Sequence, residues 1–111
     1  MSKLGTVKFT GRSGSQYRFE AFPLESVLEK GLSGVYVVTE RKQGKTKPGF
    51  VHKRISAGQS SDLCQSLSNG EKAFSARGGN CFCVHEQSDE IIRQSIEQDL
   101  MRKPSNIAPD A

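Results

Sequence analysis

Cys81, Cys83 and His85 stand at alternate positions of a 111-residue chain, so on an extended strand all three project from one face. Thiolate and imidazole are the donor types that hold zinc, and His52 and Cys64 are two more residues of that chemistry. Neighbours on one strand face are roughly 7 Å apart, however, and tetrahedral zinc gathers its ligands closely. Small thiols packed beneath a helix are therefore the preferred reading. A Cys–His nucleophile pair has less behind it, because no residue in the pattern orients the histidine. Gly44-Lys45-Thr46 ends like a phosphate-binding loop, but Thr39 stands where the earlier glycine is needed, and Pro48-Gly49 exclude the helix that must follow.

A second group of residues bears charge. Arg41, Lys42, Lys45 and Lys47 crowd one Gly- and Pro-containing stretch, with Lys53 and Arg54 shortly after. This is a cationic edge of the kind that meets phosphates. It belongs to a wider asymmetry: residues 1–54 hold 11 of the 16 Lys and Arg but 4 of the 12 Asp and Glu, while the whole chain carries +4. Contact with a polyanion, DNA or RNA, is one expectation from this; an ordinary solvated surface is the other.

These residues must be positioned by a small fold. The length suits one domain, and 34% hydrophobic with 25% charged residues is a globular composition. No stretch has the apolar length of a membrane span, and the opening residues lack the pattern of an export signal. With three cysteines, an odd number, reduced thiols and a cytoplasmic location are expected. Period-two alternation over Thr6–Thr10 and Gln16–Phe22 predicts a β-hairpin, with Tyr17, Phe19 and Ala21 on its apolar side. Pro23 suits a short helix through Glu25, Val27 and Leu28. Val35–Val38 reads as a central strand, 41–49 as an exposed loop, and Phe50–Ile55 as a returning strand.

Ser60 or Ser61 is a cap for a helix through Leu63 and Leu67, stopping at Asn69-Gly70, with a further turn near Glu71–Phe74. Asn80–His85 is a short strand. Ser88 caps the clearest helix, whose seam is Ile92, Ile96 and Leu100, with Arg102 and Lys103 in its last turn and Pro104 barring extension. Glu97 lies one step off that seam, placed either to hold a divalent ion or to pair with Arg93 at i,i+4 on an exposed flank, the reading periodicity favours. Residues 104–111 read as a flexible tail.

The stretches Gly34-Val35-Tyr36-Val37-Val38, Arg54-Ile55-Ser56-Ala57-Gly58-Gln59-Ser60-Ser61-Asp62-Leu63 and Arg93-Gln94-Ser95-Ile96-Glu97-Gln98-Asp99-Leu100, in that order, resemble the GIY-YIG endonuclease domain from Gly34 to about Lys103. The resemblance implies an α+β fold, a small central mixed or antiparallel sheet flanked by helices, here preceded by the hairpin and short helix of residues 1–33. One domain then covers 1–103, with 34–103 as its core.

It also implies phosphodiester cleavage with one divalent metal such as magnesium. Tyr36 matches the first-motif tyrosine, Gly34 and Gly58 the motif glycines, and Glu97 the metal-binding glutamate. Ser56 stands where the second tyrosine is expected, and Ser66 marks the helical position of the missing arginine, for which Arg54 or Arg77 is a substitute. Loss of one electrostatic contact to a developing phosphorane typically costs about 10²–10³ in rate, so a degenerate domain retained for nucleic-acid binding is the leading expectation. An active enzyme using Tyr36, Glu97 and a displaced arginine is the second, and a protein-interaction module the third. The family reading also requires Tyr36 and Glu97 to meet around a common hollow rimmed by positive charge.

Overall fold

The alternation of the first 23 residues is realised as strands in a computed structural model, which describes residues 3–44, 49–101 and 107–109. Strand β1 (Gly5–Thr10) pairs antiparallel with β2 (Gln16–Pro23), Val7 opposite Phe19 and Phe9 opposite Tyr17. Residues directly opposite share a face, and all four join Ala21 in one apolar cluster. This pair does not lie on the domain as a separate layer. β2 bonds to β5 (Cys81–Glu86), so β1 and β2 extend the main sheet edgewise.

The short helix expected after Pro23 does not form. Pro23 ends β2 and accepts from the Ser26 N–H at 3.0 Å in a turn. Leu24 and Leu28 then bury themselves from an irregular segment, and burying two leucines outweighs the few tenths of a kcal/mol that propensity contributes.

Strands β3 (Gly34–Gln43) and β4 (Phe50–Ser60) are longer than their apolar runs. Val35, Val37 and Val38 are fully buried, and β3 is central, flanked by β4 and β5. Residues 41–43, expected in a loop, continue the strand, and the Gly44 N–H donates to Gly49 O; Lys45 and Lys47 lie outside the described residues. A bulge between Val38 and Thr39 leaves Ile55 unpaired, since their partners are Ser56 and Arg54. The sheet order is β1-β2-β5-β3-β4-β6, with every pairing antiparallel and none mixed. β6 (Ile107–Pro109) falls within the expected tail but pairs with Val51–Lys53; the rest of that tail lies outside the described residues.

Helix α1 (Leu63–Ala76) covers one face of the sheet and α2 (Glu90–Met101) the other. Asp62, rather than Ser60 or Ser61, caps α1, its carboxylate accepting from the Gln65 N–H. The helix runs through Gly70 because the Phe74 ring occupies the place of the missing side chain, where a Cβ would lie 2.5 Å from a ring carbon. That contact offsets the roughly 1 kcal/mol of helix propensity a glycine forfeits.

Asp89, rather than Ser88, caps α2, accepting from Ile91 N and Ile92 N. The buried seam is Arg93, Ile96 and Leu100, with Ile92 45% exposed. Arg102 and Lys103 lie outside the described residues. No helix among the described residues is long and apolar enough to cross a membrane.

Candidate functional site

Tyr36 and Gly58 face each other across β3 and β4. The tyrosine ring lies over the glycine, where a Cβ would meet the hydroxyl oxygen at 2.5 Å. Gly34 is equally constrained, because a Cβ there would lie 2.3 Å from His85 O of β5. Both motif glycines thus answer a close approach. Tyr36 belongs to the apolar cluster on the α1 side, its ring centroid 6.4 Å from that of Phe74.

Helix α2 packs on the opposite face, so the sheet separates Tyr36 and Glu97 by layer. The Glu97 carboxylate is still near enough to be felt. Burial raises the Tyr36 phenol above its ordinary value, and the Glu97 charge raises it further. β6 covers Val51–Lys53 of β4, and among the described residues no strand pairs with the β4 edge beside Gly58.

The i,i+4 pair with Arg93 is not made. Arg93 is buried, and its Nε donates to Gln59 Oε1 at 3.0 Å and its Nη1 to Gln87 O and Ser88 O at 3.1 and 2.8 Å. Among the described residues the Glu97 carboxylate and the Tyr36 hydroxyl make no hydrogen bond or ion pair.

Ser56 sits opposite Val38, and Ser66 hydrogen-bonds Ser60 through their hydroxyls at 2.6 Å. Of the two substitute arginines, Arg77 is on the Tyr36 side, its Nη2 donating to Ile55 O at 2.7 Å. Arg54 is on the α2 side, where its Nη1 donates to Leu100 O and its guanidinium lies 5.5 Å from the Phe9 ring centre. Burial lowers its pKa from the ordinary arginine value. Arg54 therefore caps a helix end and is turned away from solvent phosphates.

The remaining basic residues gather elsewhere. Lys53 is five residues from Gly58 along β4, or about 16 Å, so it does not rim Tyr36. At this outer end of the β3 and β4 ribbon Arg41 stacks on Phe50, 3.7 Å from guanidinium carbon to ring centre, and Phe50 is 39% exposed. Lys42 and Lys53 occupy the other ribbon face, Lys42 in an exposed pair with Glu40 at 3.6 Å. Phe50 was not legible as a stacking residue in the sequence, because its partner Arg41 is fixed only by the strand register.

A cleft of about 600 Å³ opens between the turn joining β1 to β2 and α2, built round Asp99. That carboxylate accepts from Ser13 N (2.8 Å), Ser13 Oγ (2.7 Å) and Tyr17 Oη (2.7 Å). These bonds, the Ser13 hydroxyl first, hold its pKa below the usual carboxylate value. The cleft is thus the seam where the turn is pinned to the helix.

The thiol and imidazole residues fall into three places. His85 Nδ1 is 2.9 Å from Arg18 O, and Cys64 lies on the α1 side. Cys81 and Cys83 converge with His52 instead, the only three-residue grouping of metal-donor side chains found among the described residues, and Glu97 is not in it. The Cys81 thiol is lowered to about 5, chiefly by a hydrogen bond from Cys83, against the opposing effect of burial and with help from His52 and Thr39. No family model, curated protein or solved structure matches this chain.

Proposed function

We propose that the chain is a domain GIY-YIG-like in its order of elements, with an incomplete catalytic set whose Tyr36 and Glu97 lie on opposite layers against the family expectation, and that it binds single-stranded nucleic acid through the outer end of the β3 and β4 ribbon. The observation that carries the binding is the Arg41–Phe50 stack on one face of the ribbon end, with Lys42 and Lys53 on its other face. An exposed aromatic face offers a nucleobase a sequence-tolerant stacking surface, and flanking cations release counterions from the phosphates. The family reading draws support from the antiparallel β5-β3-β4 unit, with α1 between β4 and β5 and α2 after β5. Degeneracy is supported by Ser56 and Ser66, neither of which supplies a phenol or a cation.

The test is fluorescence anisotropy of a labelled single-stranded oligonucleotide at low salt. Phe50→Ala is expected to weaken binding about 5- to 100-fold, the range of one lost stacking contact. Lys53→Glu weakens it too, while Lys72→Glu, the same charge change on exposed α1, has a smaller effect. Equal losses from the two lysine variants would assign the binding to net charge and remove the ribbon from the account.

One observation favours a second reading: Tyr36 and Glu97 carry polar groups that make no hydrogen bond among the described residues and that interact electrostatically. In an active enzyme Glu97 would hold magnesium as a single hard oxygen ligand, with substrate phosphates and water completing the shell. Bound there, the ion would stabilise charge on the phosphate. Tyr36 would orient the nucleophile and Arg77 would approach the phosphate from α1. Magnesium-dependent nicking of supercoiled DNA, abolished by Glu97→Ala, would establish that reading over the first.

A further inference from the structure

His52 of β4 and Cys81 and Cys83 of β5 are all fully buried, and one ligand atom from each lies within 4.8 Å of the others. Their strands are not neighbours, since β3 runs between them. Cys81 is opposite Thr39, Cys83 opposite Val37 and His52 opposite Arg41, so the three side chains rise on the face that α2 covers. His52 reaches over Thr39, whose Oγ1 is 2.9 Å from its Nδ1. Both sulfurs lie inside the apolar cluster formed with Val37, Ile96 and Leu100.

We infer that His52, Cys81 and Cys83 form a zinc site that ties β4 to β5 across the central strand. The donor types decide the metal. Thiolate and imidazole suit zinc, whereas magnesium and calcium take oxygen ligands. Two thiolates and a neutral imidazole cancel the charge of Zn²⁺, while monovalent copper would leave a net negative charge among buried apolar side chains.

Donors at about 2.0–2.3 Å from zinc lie about 3.3–3.8 Å apart, so the present spacing, within 4.8 Å, has to close by about 1 Å on ligation. With zinc held through Nε2, the Thr39 hydroxyl, 2.9 Å from Nδ1, would accept from Nδ1–H, the outer-shell contact that fixes a metal-bound imidazole. No described His, Cys, Asp or Glu offers a fourth donor, so a water would take the fourth position of the tetrahedron.

The full chain, unfolded and refolded with cobalt(II) as the probe, tests the site. About one cobalt per chain with a thiolate-to-cobalt charge-transfer band is expected, displaced by zinc and unaffected by magnesium. Cys81→Ser and Cys83→Ser lose the band, Cys64→Ser keeps it, and Thr39→Val weakens metal affinity about 10- to 100-fold. Because the serine variants risk misfolding, the unmodified chain supplies a second readout. Zinc should shield two of its three cysteines from a thiol reagent in denaturant too mild to unfold the loaded protein. Refolded protein with no stoichiometric cobalt, a band that survives in Cys81→Ser, or all thiols reacting alike with and without zinc would overturn the assignment.

Discussion

At the scale of single residues, Gly58 and Tyr36 form a unit in which the absence of one side chain makes room for the other. Gly58→Ala forces the ring aside, because the new Cβ would lie 2.5 Å from the Tyr36 hydroxyl. Overpacking of this kind costs about 1–3 kcal/mol, and the check is urea unfolding together with displaced Tyr36 ring resonances. Glu97→Gln removes the negative charge that raises the phenol, so Tyr36 is expected to ionise at lower pH in that variant, read by ultraviolet titration against wild type. An unchanged titration would mean that the two groups do not sense each other. The sequence made Tyr36, Gly58 and Glu97 visible as residue types in order. It did not show Arg93 turning inward, because Ile92 and Arg93 both lie within one helical step of the Ile96 seam and periodicity alone gives the place to the apolar residue. The Cys81 and Cys83 pair was legible and His52 was among the further ligands the sequence offered, but strand alternation put His85 first, whereas cross-strand register brings His52.

At the scale of elements, the turn between β1 and β2 is held to α2 through Asp99, a contact of long sequence separation that no local pattern announces. Its depressed carboxyl pKa gives a definite sign. The ionised form is favoured by folding, so its stabilisation is present above the ordinary aspartate value of 3.8 and is lost as the pH falls through the lower folded value. Asp99→Asn is expected to lower stability at neutral pH and to flatten this part of the acid limb, followed by thermal unfolding across pH 2–6, with 2–6 an approximate working range. Arg54→Ala removes a guanidinium from Leu100 O and the Phe9 ring. A cost of about 1–2 kcal/mol in urea unfolding is expected, with less effect on nucleic-acid affinity than Lys53→Glu. Strands β1 to β5 and the existence of α1 and α2 were readable from alternation and apolar spacing, but the caps fell one or two residues on, at Asp62 and Asp89, and α1 ran past Gly70. The helix after Pro23 was not, because the pull of buried Leu24 and Leu28 is tertiary.

For the whole molecule, charge and shape coincide in one place. The excess of cations in residues 1–54 was plain in the sequence, but which of them face solvent was decided by folding: Arg54 is turned to a helix end and Arg41 lies half-buried against Phe50, while Lys42 and Lys53 are exposed on the opposite ribbon face. If Arg41, Lys42 and Lys53 neutralise about three phosphates of a single strand, the logarithm of affinity falls with the logarithm of salt at a slope of about −2. The most direct measurement is a ¹H–¹⁵N titration of the chain with a single-stranded oligonucleotide at low salt, repeated at increasing salt. Shifts concentrated at Arg41, Lys42, Phe50 and Lys53 that fade along that slope are the predicted result. Shifts centred on another face, or saturable binding indifferent to salt, would contradict it.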